Sequence, residues 1–334
     1  MYSFKAATFR TLALMGLILL GCTGIQAEEL KLGLIGLDTY HVIAFTKILN
    51  DPEHPDHVPG AKVIAAFKGG SDDVESSYTR VDKFTKQLQD DFGIEIVPTI
   101  EELCTKVDAI LLESVDGRPH LEQVKPVFEA GLPVFIDKPL AGSLKDAIEI
   151  YKLGKKHNVK WFSSSSYRYY DSMLALQQED IGELRGAISY GPCTYEEHHP
   201  DFFWYGVHPV EALYTVMGQG CESVVRTTTP NTDVTTGIWS DGRVGTFRGL
   251  RNQKTNHKVI LFGTKSIAEQ QGGGNYANLI KEIVQFFQTS EVPIPPEETI
   301  ELFAFMEAAD ESKRRGGVPV ALSEVIEAAG GLED

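Results

Sequence analysis

Leu30-Lys31-Leu32-Gly33-Leu34-Ile35-Gly36-Leu37-Asp38-Thr39-Tyr40-His41 is the stretch that decides the fold. The apolar run up to Ile35 reads as a buried strand, Gly36 as a tight turn, and the residues after it as the start of a helix. Such a strand–turn–helix unit opens a doubly wound nucleotide-binding domain, in which a Gly-x-Gly-x-x-Gly fingerprint would begin at Gly36. Here the second and third glycine positions hold Asp38 and His41. Those glycines let a backbone approach a pyrophosphate and let the helix pack on the strand. A carboxylate at Asp38 is expected to repel the phosphates that a helix N-terminus attracts, and Asp38→Gly to tighten dinucleotide binding.

Outward from this turn, continuous apolar runs at 61–67, 94–97, 107–113 and 133–136 alternate with helical stretches at 42–49, 78–92 and 121–129. Another helix starts behind a capping Thr99. Strands without polar alternation belong to a parallel sheet covered on both faces. The fold class expected is therefore α/β, with an N-terminal Rossmann-type doubly wound parallel sheet over 31–140. A helix at 144–157 and a strand at 159–162 lead out of it. From Gly186 the pattern turns strand-rich (187–190, 223–229, 234–239, 244–250, 258–262), and helices follow at 276–289 and 297–315. This predicts a second α/β domain over 141–330, with a largely antiparallel open sheet covered on one face by the two closing helices.

The 334 residues carry a formal net charge of −16, which argues against nucleic acid or an anionic membrane surface as partner. Residues 1–27 read as a signal peptide. Lys5 and Arg10 precede an apolar run over 12–20, and a small-residue zone ends at Ala27. Leu19-Leu20-Gly21-Cys22 resembles a bacterial lipobox, which would lipidate Cys22. Cleavage after Ala27 is the alternative. The expectation is an exported chain, periplasmic or a membrane-anchored lipoprotein, that meets the membrane only through a lipid anchor. Arg10 stands alone, so the leader lacks the twin arginines of a folded-protein export route. Cys104, Cys193 and Cys221 are expected to be unpaired thiols.

Three segments carry chemistry. Asp116-Gly117-Arg118-Pro119-His120 follows the fourth strand, Ile136-Asp137-Lys138-Pro139-Leu140 follows the fifth, and Gly206-Val207-His208-Pro209-Val210-Glu211 precedes an apolar helix in the second domain. Loops at the carboxyl ends of parallel strands line the ligand crevice, so the first two converge on one place. A lysine held there beside a histidine from the facing domain suits proton transfer at a hydroxyl or carbonyl. Glu196-Glu197-His198-His199-Pro200-Asp201 clusters metal-type ligands. Adjacent residues cannot all face one ion, so a solvated loop is expected and no metal site is assigned. A metal-assisted lyase or hydrolase using His198, His199 or His208 is the weakest alternative.

In order and spacing these motifs resemble the glucose-fructose oxidoreductase / inositol dehydrogenase / MocA family, from Lys31 to about Leu322. The family's Glu-Lys-Pro is similar to Asp137-Lys138-Pro139, its Asn-x-x-His to Gly117-Arg118-Pro119-His120, and its Asp-x-x-x-His-x-x-Asp to Trp204-x-x-x-His208-x-x-Glu211. The resemblance implies an NAD(P)-dependent oxidoreductase of a sugar or polyol. In it Lys138 polarises or protonates the substrate oxygen, His208 is the general acid/base, and Glu211 orients the substrate or the histidine. Gly36, Asp38, His41, Lys68, Ser71, His120 and Asp137 would face the cofactor, and Arg168 and Trp204 the substrate. Lys68 and Ser71 stand where an acidic ribose-binding residue is usual, which favours NADP over NAD. A homo-oligomer through the second sheet is also implied. The alternative is an exported, non-redox carbohydrate-binding or carbohydrate-processing protein on the same scaffold that has lost dinucleotide binding.

Overall fold

The computed structural model describes residues 29–333. The proposed signal peptide and Cys22 lie outside that range. The first sheet is built from β1 (Leu30–Ile35), β2 (Ala61–Phe67), β3 (Glu95–Val97), β4 (Ala109–Leu112), β5 (Val134–Asp137) and β6 (Trp161–Ser164). Its strand order is β3-β2-β1-β4-β5-β6 and every pairing is parallel. Between these strands run α1 (His41–Asn50), α2 (Glu75–Tyr78), α3 (Val81–Phe92), α4 (Ile100–Cys104), α5 (His120–Glu129) and α6 (Leu144–His157). The order reverses between β1 and β4, and that switch point opens a crevice at the carboxyl edge. Thr99 and Ser143 cap α4 and α6 by accepting the Glu102 and Asp146 amides, as their sequences suggest. The single helix expected over 78–92 is two helices. Thr79 Oγ1 donates to the Glu75 carbonyl and ends α2, and α3 restarts at Val81. The sheet also continues past Leu140, because β6 pairs with β5 in parallel.

The second sheet comprises β7 (Leu184–Pro192), β8 (Cys221–Thr229), β9 (Thr232–Trp239), β10 (Val244–Leu250), β11 (Lys258–Gly263), β12 (Ile267–Glu269) and β13 (Val320–Ala321), in the order β12-β11-β7-β10-β9-β8-β13. Only β7 and β10 pair in parallel. The helices are α7 (Asp171–Gln177), α8 (Val207–Met217), α9 (Ala277–Thr289), α10 (Pro296–Arg314) and α11 (Leu322–Ala328). As expected, α10 packs against this sheet. In contrast, α9 turns its apolar face, Leu279, Ile280, Ile283 and Phe286, into the core that holds Phe45, Phe135 and Phe162 of the first sheet's layer. Periodicity identifies an apolar face without identifying its partner. No helix among the described residues is long and apolar enough to cross a membrane.

Candidate active site

The turn after β1 keeps Gly36 for a reason other than phosphate. Its φ is +83°, and a Cβ there would come within 2.1 Å of Ser114 Oγ and 2.5 Å of the Ser114 backbone. The loop after β4 therefore sits directly on the turn. Asp38 is fully buried and faces inward: Oδ2 accepts from Ser77 Oγ at 2.6 Å and Oδ1 from the Val115 amide at 2.9 Å. Burial pushes its carboxyl above the ordinary range, against those two bonds. It ties the segment after β2 to the loop after β4, which corrects the expectation of a repelling charge aimed at a ligand. Next to it, Ser71 Oγ donates to Asp116 Oδ2 at 2.7 Å, and Arg118 bridges Asp116 and Asp73. Burial opposes charge on Asp116, but bonds to His199, Arg118 and Ser71 prevail and hold its carboxyl far below the usual range. Lys68 points to solvent and pairs with Asp82 at 2.6 Å. His120 is buried with its ring nitrogens 3.1 and 2.9 Å from the Leu140 and Ser114 carbonyls, a structural bridge between the loops after β5 and β4.

His41, at the first turn of α1, lies elsewhere. Its ring stacks on Phe45 and reaches the ends of β5 and β4, where Nδ1 is 2.8 Å from Asp137 Oδ2 and 3.8 Å from Glu113 Oε2. Lys138 Nζ is 3.8 Å from the same Asp137 oxygen. Burial works against charge on Asp137, yet the His41 ring and Lys138 outweigh it and keep the carboxyl low. Glu113 is fully buried, and burial together with the Asp137 charge pushes its carboxyl well up. Sequence reasoning missed Glu113. Its signal was an acid directly after the wholly apolar run Ala109–Leu112.

His41 and Lys138 open onto a cavity of about 310 Å³ that is also lined by Ser76, Arg80, Tyr167, Tyr170, Trp204, His208 and Tyr276. His208 enters from α8 with Nδ1 hydrogen-bonded to Ser165 Oγ at 2.7 Å. Burial first, then the charge of Lys138, lower its pKa well below that of a free histidine, so the ring is neutral. Glu211, one α-helical turn on, does not reach this cavity. It accepts from Ser164 Oγ at 2.6 Å and the Ser165 amide at 2.7 Å, and so positions the serine that holds His208. Arg168 is committed to Glu211 (3.2 Å) and Glu298 (2.6 Å) and does not line the main cavity, contrary to the substrate role expected of it. Burial pushes the Glu211 carboxyl up, against the Arg168 guanidinium and the bonds from Ser164 and Ser165. Trp204 does line the cavity, while His199 beside it reaches back to Asp116 at 3.0 Å. The 196–201 run latches the second domain onto the first, with His198 and His199 both bonded to Glu196, and forms no common site with His208. Cys193 and Cys221 are buried and Cys104 half-buried, all unpaired.

The dinucleotide that the resemblance implies can be tested against these residues. At the Lys138–His208 end they fit a hydride acceptor beside a hydroxyl. At the other end, Ser71, Asp116, Arg118 and Asp73 already bond one another across the crevice, and an adenosine half that used those groups would have to replace those bonds. With Lys68 and Ser71 both committed, nothing here favours a 2′-phosphate, and the preference for NADP loses its basis.

Residues 56–165 match the family model described as "Oxidoreductase family, NAD-binding Rossmann fold". No curated protein sequence matches the chain. Among solved structures, a probable dehydrogenase from Thermotoga maritima superposes with a TM-score of 0.73 at 19% identity, covering 89% of this chain and 100% of that one. Myo-inositol 2-dehydrogenase from Lactobacillus plantarum gives 0.72 at 18% identity over 88% and 99%. Scyllo-inositol dehydrogenase from Lactobacillus casei, solved with NAD(H) and scyllo-inositol, gives 0.71 at 16% over 89% and 100%. Identities this low speak for the fold alone. The resemblance to the glucose-fructose oxidoreductase / inositol dehydrogenase / MocA family thus rests on two grounds, a match of residues 56–165 to an NAD-binding oxidoreductase model and a two-domain fold shared with inositol dehydrogenases.

Proposed function

We propose that this chain is an oxidoreductase of a sugar or polyol, with NAD(H) rather than NADP(H) as its hydride partner. The observation that carries the reading is that Lys138 and a neutral His208 face one cavity of about 310 Å³ at the carboxyl edge of the parallel sheet. That volume is at the small end of ligand pockets and suits a monosaccharide-sized molecule, with Trp204, Tyr167 and Tyr276 offering flat faces to C–H bonds. Lys138 donates to the substrate oxygen and stabilises negative charge that develops there. His208 takes or returns the hydroxyl proton, held at a fixed angle by Ser165, which Glu211 in turn anchors. NAD(H), when bound, exchanges the hydride. The Gly36 turn, the Val115 loop and the N-terminus of α1 are the parts of this chain that would hold it.

A second reading is favoured by one specific observation. The bonds Ser71–Asp116, Arg118–Asp73 and Asp38–Ser77 close the adenosine end. On that reading the same cavity does proton chemistry on a carbohydrate with no dinucleotide, as suits a chain exported through its leader. Titration of the purified protein with NAD(H) by calorimetry separates the two. Saturable binding below 1 mM supports the oxidoreductase, and no heat at millimolar cofactor rejects it.

A further inference from the structure

We propose that His41, Glu113 and Asp137 form a binding site for a single divalent metal ion of the zinc or manganese type. The inference goes beyond the polyol reading and stands whether or not that reading holds. The three residues come from three elements: the first turn of α1, the end of β4 and the end of β5. One donor atom from each lies within 4.8 Å of the others, with His41 Nδ1 2.8 Å from Asp137 Oδ2 and 3.8 Å from Glu113 Oε2. Ligand atoms about 2.0–2.2 Å from a zinc ion stand roughly 3–3.6 Å apart, so only small side-chain shifts close the set.

The independent observation is the state of the carboxylates. Glu113 is fully buried at the crevice floor and neither of its oxygens has a hydrogen-bond partner; Asp137 Oδ1 has none either. Native proteins seldom leave such oxygens empty, and a bound ion is one recognised reason where they do. Lys138 comes only to 3.8 Å of Asp137 and leaves Glu113 unanswered. The ring of His41 is clamped between Phe45 and Tyr276, which aims Nδ1 at the acids. One imidazole and two carboxylates suit zinc, manganese or ferrous iron better than a hard all-oxygen ion such as calcium. Three protein donors would leave a coordination position free, and of the three His41 also lines the cavity.

The test uses the purified protein stripped with chelator and returned to buffer. Titration with Zn²⁺ and with Mn²⁺, followed by calorimetry and by elemental analysis after equilibrium dialysis, is expected to give one equivalent bound with micromolar or tighter affinity. Glu113→Gln should weaken it at least tenfold, and His41→Phe, which keeps the stack on Phe45, should do likewise. Circular dichroism establishes that each variant is folded, and a metal-dependent rise in Tm of the parent that is lost in both variants reads the same site without activity. Absence of stoichiometric binding at 1 mM of either ion overturns the proposal, as does unchanged affinity in a folded Glu113→Gln protein. The trio would then be an ion pair beside a carboxyl that holds a proton.

Discussion

At the Asp38 end of the crevice every carboxylate oxygen has a donor: Asp38 takes Ser77 and Val115, Asp116 takes Ser71 and Arg118, and Asp73 takes Arg118. At the His41 end, both oxygens of Glu113 and one of Asp137 are shielded from water and lack a hydrogen bond. The two ends share one sheet edge and differ in what their polar groups do. Groups that satisfy each other hold loops together, and a ligand must break them apart. Groups left unpaired are destabilising in the free protein and regain that free energy when a ligand pairs them. The difference separates structural polarity from binding capacity within one fingerprint region.

Several changes would break or sharpen this contrast, in descending order of effect. Removal of the reactive end's donors should cost most: Lys138→Met and His208→Gln are each expected to lower kcat/KM by about 10²–10⁴ with an inositol or hexose substrate. Tm should move by only a few degrees. A loss of activity that merely followed unfolding would erase the distinction between the ends.

The pH response comes next. Burial holds His257 at about 4, whereas an unfolded histidine titrates near 6.5. Between those values the unfolded chain binds the extra proton, so stability rises with pH. It should therefore be lost as pH falls from 6.5 to 4, by up to about 3 kcal/mol from this ring. Urea melts across that window check it, and His257→Phe should flatten the slope.

Asp38→Ala strands the Ser77 hydroxyl and the Val115 amide. We expect about 2 kcal/mol of destabilisation in denaturant unfolding. A stable, tighter dinucleotide binder would restore the repulsion account of this residue. The smallest effect is at the stitch itself. Ser71→Ala removes one bond to Asp116 and should cost about 1 kcal/mol. If NAD(H) enters by opening that stitch, its affinity should rise about fivefold in calorimetry; no change would mean that the stitch does not oppose entry.

Much of this was readable from residue order. The central strands of the first sheet carry the apolar runs 32–35, 109–112 and 134–136, and α6, β2 and β10 fall where the pattern puts them. Lys138 was identifiable because a short motif at a strand end has a fixed topological meaning, and His208 because its segment resembles the family's histidine motif; both line the cavity. Arg168 was not, because a buried guanidinium looks alike in sequence whether it waits for a substrate or pairs with Glu211 and Glu298. Glu298 is 130 positions away in the chain.

By itself the sequence determined the layered α/β class, the order of its strands along the chain and the meeting of two loops at one sheet edge, since these follow from local periodicity and crossover rules. Only the tertiary structure decided what the altered fingerprint does. Asp38 turns inward because Ser77 and Val115 supply donors there, and His41 turns to Glu113 and Asp137 because Phe45 and Tyr276 hold its ring. Hydrogen-bond partners brought together across three loops leave no local trace in the chain, so the direction of a charged side chain is a property of the assembled fold.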